Sequence, residues 1–248
     1  MIAFTRRDLA VIPVDKSEDP YYIVTACDSC GAIGEKSGDV FKLSPRYAAK
    51  FTLRVVLTEL MCCGAKPLLI SNGVACEMHP TGEETILGIH DELNNAGIKD
   101  ISLIGSTEEN FVTSMTALAI SATGIAIKSE LKFDEAFPGD KIILFGTPRV
   151  GAEVDLESKG FYEEIRRLLR VAGVREIVPV GSKGIAYEAQ TLAGLNKMAY
   201  KPYKTNIDQK KSAGPATCLL VLCEESSVKQ VLEVYSTTTI IGEVIVTV

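Results

Sequence analysis

The chain has no tryptophan and only two histidines, His79 and His90. A zinc site built on imidazoles needs more than that, so zinc chemistry is disfavoured. Long apolar runs are also missing: none approaches the ~20 residues that cross a bilayer, so no membrane association is expected. Positive charge is in deficit. The formal net charge is −6 and the pI about 5.2, which argues against a nucleic-acid surface. An export signal is not expected, because Arg6, Arg7 and Asp8 stand where its apolar core would begin. Seven cysteines make an odd set, best read as reduced thiols of a cytoplasmic protein.

What remains is ordinary globular composition. The 248 residues, 46% hydrophobic and 23% charged, suffice for one large domain or two small ones. The most informative stretch runs from Arg54 to Pro67. It reads as the end of a helix opened by Ser44-Pro45 and closed by Gly64, with Pro67 unable to continue it. Its apolar stripe is Ala48, Thr52, Val55, Val56 and Cys63. Glu59 falls on that stripe, where a carboxylate is costly unless a cation meets it. The plain reading puts Glu59 at the stripe's edge, in water. The sharper one makes it part of a metal or phosphate-metal site.

Strands are expected over residues 9–14 and 21–26, then a glycine-rich loop over 30–39. A buried strand follows at 67–71, a helix at 82–96 and a short strand at 101–104. Residues 115–127 make one or two strands. Beyond a charged Pro-Gly seam at 128–140, strands are expected at 141–145, 218–223 and 240–248. Helices are expected at 157–172, 184–195 and 226–235, and a loop at 197–214. Strands and helices mix without strict alternation, so the class is α+β. The expected domains are 1–132 and 133–248.

Four acids fall at element ends: Asp8 before the first strand, Asp28 after the second, Glu59 at the helix end and Glu108 after the 101–104 strand. Each alone reads as a solvated turn carboxylate. As a set they suit Mg²⁺, a hard cation usually held by one or two carboxylates and substrate phosphates. Gly105-Ser106-Thr107 could cradle phosphate, or be a plain strand-to-turn transition. Gly31 to Ser37 misses the P-loop pattern, since Glu35 separates Gly34 from Lys36-Ser37. Cys27 and Cys30 have CxxC spacing but read as incidental thiols. Lys50 and Arg54, four apart, form a basic ridge that is usually a solvated face.

In order and spacing, five segments resemble the aminoimidazole ribonucleotide synthetase-like (PurM-like) superfamily. They are Arg7 to Ile12, Ile23 to Asp28, Glu59 to Pro67, Leu103 to Glu108 and Pro138 to Gly146. The likeness covers residues 8–146 well and the rest in outline. It implies a two-domain α+β fold: an N-terminal mixed sheet with helices that binds ATP and pairs into a homodimer, and a C-terminal α+β substrate domain. It implies Asp8, Asp28 and Glu59 as Mg²⁺ ligands and Lys50, Gly105, Ser106 and Thr107 as ATP contacts. Asp28 and Glu108 become the catalytic acids, acting on a small-molecule substrate.

Departures accompany the likeness. Arg7 stands where many members have a first Asp, Val56 where they often have Asn, Glu59 replaces Asp, and Ser106 replaces Gly. The Val180-Gly181-Ser182-Lys183-Gly184 segment lacks the Asp expected before Gly-Gly. Within the superfamily the short chain is most similar to the α-ribazole kinase branch. The expected activity is ATP-dependent phosphorylation of a riboside hydroxyl. A thiamine-monophosphate kinase-like or ring-closing enzyme, or a nucleotide-binding regulator without turnover, are the alternatives.

Overall fold

The computed structural model describes residues 3–133 and 136–247. Asp134 and Glu135 of the seam, and Val248 of the last expected strand, lie outside the described residues. The chain forms two compact units. The first comprises residues 1–60 and 65–130, the second 61–64 and 131–248.

The first unit holds a six-stranded sheet in the order β1-β2-β3-β8-β6-β7. A hairpin starts it: β1 (Phe4–Arg6), unforeseen in the sequence, pairs with β2 (Leu9–Pro13). β3 (Tyr21–Gly31) runs well past the expected end at Ala26 and pairs along its whole length with β8 (Ala117–Ile127). Asp28 is therefore inside a strand, not after one. Short β4 (Ile33–Gly34) and β5 (Phe41–Lys42) pair within the glycine-rich segment.

Helix α1 (Pro45–Cys62) follows. The Ser44 Oγ accepts the Arg46 N–H at 3.2 Å, a side-chain cap on a helix with proline at its first position. Gly64, at φ 88°, ends it. The Ala65 N–H reaches the Leu60 carbonyl and the Gly64 N–H the Met61 carbonyl, the bonding of a Schellman cap. The expected single stripe is too narrow. From Ala48 to Cys63 only Val55 is not buried, so polar residues on every side of α1 need internal partners.

β6 (Lys66–Val74), helix α2 (Glu83–Asn95) and β7 (Ser102–Thr107) form a β-α-β crossover with parallel strands. β7 is longer than expected and absorbs Gly105-Ser106-Thr107. Alternation along β3 and β8 sets two faces. Val24, Ala26, Leu118, Ile120 and Ala122 are buried on one. The other carries Thr25, Cys27, Ser121, Thr123 and Ser71, with Ile12, Ile23 and Ile104 37–58% exposed.

The second unit is an antiparallel sheet in the order β10-β12-β9-β13-β11. β9 (Lys141–Gly146) and β12 (Cys218–Cys223) match expectation, and β13 is Thr238–Val246. Two strands went unforeseen. β10 (Val174–Pro179) contains Arg175 and Glu176, which mask its apolar character. β11 (Met198–Pro202) lies within the expected loop as an edge strand, where Lys201 and Pro202 are tolerated. Helix α3 is only Tyr162–Leu168, because Asp155 and Ser158 build a turn ahead of it. Helix α4 (Ile185–Leu195) buries Ile185, Ala189 and Leu192 with Leu144, Leu220 and Ile241. On the other face Phe145 stacks on Tyr235 at 6.3 Å. Helix α5 (Val228–Leu232) is short.

Candidate functional site

The β1–β2 turn consists of Arg7 and Asp8, since Arg6 pairs directly with Leu9. Arg7 takes φ 52°, a left-handed value uncommon for a residue with a side chain. Two neighbours of opposite charge then part company. Asp8 is exposed, while Arg7 turns in and its Nη1 donates to Glu59 Oε2 at 3.3 Å. The two side chains are 6% and 9% exposed. Arg7 is thus the cation that the Glu59 carboxylate requires, supplied from 52 residues away. The sequence offered only an isolated Arg at a departure from the family pattern.

Asp28 lies on the helix-facing side of β3, in line with Val24 and Ala26. Burial pushes its carboxyl above the ordinary range. The Ser29 N–H opposes that, and the charge of Asp8 adds to it. Asp8 and Asp28 are therefore within electrostatic reach of each other. Cys30, two residues on, meets the Thr52 hydroxyl of α1, which places this end of β3 along the Thr52–Glu59 line of the helix. The structure thus puts Asp8 within electrostatic reach of Asp28, and its neighbour Arg7 on Glu59. Among the described residues no group of three His, Cys, Asp or Glu is arranged to hold a metal ion. Asp8 and Asp28 fit a hard cation bound through two carboxylates and phosphate oxygens. Glu59, engaged by Arg7, does not fit that set.

Lys50 is placed elsewhere. Nine residues from Glu59, it points from the opposite side of α1, over the Tyr47 and Phe51 rings at 5.6 and 5.8 Å. Its charge and, more strongly, the Arg46 bonds lower the Asp91 carboxyl on α2. Arg54 is not a solvated ridge residue either. Its Nε and Nη2 donate to Glu92 of α2 at 2.7 and 3.1 Å, with both side chains buried.

The 105–108 segment is not a loop cradle. Gly105 lies opposite Asn72 in the parallel pair, and a Cβ on Gly105 would sit 1.6 Å from Asn72 Oδ1. Glycine is needed there so that the amide can pass over the strand, a partner the sequence did not reveal. Ser106 lies on the exposed face with Gly73. Thr107 donates to Glu109 at 2.8 Å. Glu108 accepts the N–H groups of Asn110 and Phe111 at 2.6 and 3.2 Å, tying down its own turn.

The glycine-rich segment is stapled by residues that sequence reasoning passed over. Asp39 accepts from Thr116 N, Thr116 Oγ1 and Lys36 N. Burial alone would raise its carboxyl, yet these bonds bring it below the ordinary value. Gly34 permits this, for a Cβ there would lie 2.0 Å from Thr116 Oγ1. Lys36 pairs with Glu77, which also accepts from Thr81. Burial works against the charge on Glu77, but the Lys36 and Thr81 bonds hold its carboxyl down at about 2. Cys27 and Cys30 are both free, and alternation along β3 sends them to opposite faces. Burial first, and Asp28 next, push the Cys30 thiol up to about 11.

Residues 6–127 match the family described as AIR synthase related protein, N-terminal domain. A search of curated proteins found no match. Among solved structures, "T. maritima PurL complexed with AMPPCP" superposes with a TM-score of 0.73 at 16% identity, covering 95% of this chain. The chain spans 42% of that protein's length. A HypE-HypF complex gives a TM-score of 0.69 at 16% identity, over 91% of this chain and 85% of the other. HypE in complex with ATP gives 0.67 at 15%, over 90% and 77%. No helix among the described residues is long and apolar enough to cross a membrane. The first unit thus carries the match to the AIR synthase related N-terminal domain, and the chain has the α+β fold of the PurM-like proteins.

Proposed function

We propose that the chain is an ATP- and Mg²⁺-dependent enzyme that phosphorylates a hydroxyl of a small heterocyclic riboside. The observation that carries this reading is the β2–β3 register, which sets Leu9 opposite Ala26 and so puts Asp8 and Asp28 at the same end of the family-matched sheet. It is supported by fold neighbours captured with AMPPCP, ADP and ATP. Asp8 and Asp28 would hold the metal, which when bound offsets charge on the nucleotide phosphates. Phosphoryl transfer asks the protein mainly for positioning and electrostatic stabilisation. In this chain the β1–β2 turn positions Asp8. The half-buried strand position of Asp28 fixes its carboxylate, and Arg7 keeps the third acid neutralised.

The resemblance stated above names α-ribazole as first acceptor. Incubation with Mg-ATP and α-ribazole, thiamine phosphate or a purine-pathway ribotide, followed by mass spectrometry, tests it. A phosphorylated riboside from α-ribazole is the expected product. Product only from another acceptor refutes the named substrate. Asp28→Asn keeps shape and removes charge, so it should lower Mg-ATP affinity and turnover by at least about tenfold. Parent-like turnover by that variant refutes the site. A second reading, nucleotide binding without turnover, is favoured by the Arg7–Glu59 pair, which withdraws one acid. Tight ATP binding with no product from any acceptor would select it.

The same reading includes a homodimer through the first unit. Its sheet leaves one face open, with small and β-branched residues in register: Thr25 opposite Thr123, Cys27 opposite Ser121, Ser71 opposite Ile104. Light scattering at micromolar concentration should give twice the chain mass. A monomeric mass with and without Mg-ATP refutes this part.

A further inference from the structure

The three acids of the site are not equivalent. Asp8 is exposed, Asp28 half-buried, and Glu59 buried and already bonded to a guanidinium. Arg7 reaches Glu59 from a two-residue turn that holds it at φ 52°. That backbone conformation is costly for arginine and persists where the surroundings fix it. The same turn sends the adjacent Asp8 outward. A divalent ion drawing on Glu59 would have to compete with the Arg7 guanidinium for Oε2 or bind beside that fixed positive charge, and both are unfavourable.

We propose that Arg7 is a fixed cation of the polyphosphate site: it neutralises Glu59, withdraws that carboxylate from metal binding, and confines divalent-ion ligation to Asp8 and Asp28. The proposal rests on the nucleotide reading for the word polyphosphate, but not for its claim about the acids. It makes Arg7 a positioning and charge-compensating residue rather than a catalytic one. It also departs from the expectation that all three acids would hold Mg²⁺.

The test uses Mn²⁺ as probe, titrated into the full chain without nucleotide and followed by electron paramagnetic resonance. The double variant Arg7→Ala with Glu59→Gln, which removes both charges together, should leave Mn²⁺ affinity within about twofold of the parent, since Glu59 is not a ligand. Arg7→Ala should tighten Mn²⁺ by about tenfold or more, because a third carboxylate is released to the ion. Arg7→Lys, which retains the cation, should behave as the parent. A tenfold weakening in the double variant overturns the proposal. So does an unchanged Mn²⁺ affinity in Arg7→Ala accompanied by a lower melting temperature, which would reduce the pair to a structural latch. If one variant does not fold, the other still decides. A fluorescent ATP analogue, added in Mg²⁺ and then in chelator, separates the two readings. No binding by the parent in either condition defeats the proposed function, while the Mn²⁺ titration still judges Arg7.

Discussion

Interior strands of the two sheets are buried in different ways. β12 of the second unit is buried at all six positions, whereas β3 of the first unit alternates and has only Val24 and Ala26 buried among eleven residues. In the second unit both faces of the sheet serve the core. In the first, one face is left open, and the strand's far end carries Asp28 among charged neighbours. Ion pairs occur in both units, Arg7–Glu59 and Arg54–Glu92 in the first and Lys141–Glu243 and Arg175–Asp140 in the second, so what separates the sheets is the open face and not the presence of charge.

The comparison can be broken or sharpened by four measurements. The largest effect is expected at Arg54. Arg54→Ala leaves the Glu92 carboxylate buried without its fork-like partner, and should cost about 3–5 kcal/mol in denaturant unfolding. A loss under 1 kcal/mol would mean that polar pairing does not anchor α1 to α2.

Next is a contrast across the two sheets. Leu220→Ala removes a fully buried side chain of β12 and should cost about 2–5 kcal/mol. Ile104→Ser, on the open face of β7, should stay within about 0.5 kcal/mol for the isolated chain. Equal losses at the two sites would erase the distinction between a covered and an open face.

A smaller effect lies in acid stability. Glu77 titrates at about 2 in the folded chain against 4.5 ordinarily. A carboxylate with a lowered folded pKa contributes stability fully above the unfolded value. That contribution is lost as pH falls from 4.5 toward about 2. Glu77→Gln should therefore flatten this part of the acid unfolding curve. An unchanged curve would show that the Lys36–Glu77 pair adds nothing to the first unit.

The smallest effect concerns the thiols. Cys27 is exposed, while Cys30 is half-buried with its pKa at about 11. Iodoacetamide at neutral pH should label Cys27 well before Cys30, and mild oxidant should form no Cys27–Cys30 disulfide. Such a disulfide would contradict the strand register.

Local signals were legible where they act locally. Ser44-Pro45 and Gly64 marked both ends of α1, because capping chemistry is confined to a few consecutive residues. β12 could be read from an unbroken apolar run. β10 could not, because Arg175 and Glu176 are accommodated by Asp140, Glu224 and Asn196, which lie far away in sequence. β11 was hidden for a similar reason. An edge strand needs hydrogen bonds on one side only, so Lys201 and Pro202 broke the pattern without breaking the strand.

The site shows the same division. Sequence order alone picked out Asp8, Asp28 and Glu59 as acids near element ends, and it identified the cost of Glu59 on a helix stripe. It could not say that Arg7 meets that cost, that Lys50 points away, or that Asn72 lies across Gly105. The chain by itself determined the α+β class, the ends of its longest helix and the acids available for chemistry. These follow from capping, periodicity and residue type. Tertiary structure alone decided which acid is already neutralised and which two stand together. That outcome depends on a turn, a strand and a helix converging from distant parts of the chain, and electrostatic energy follows distance in space, not separation in sequence.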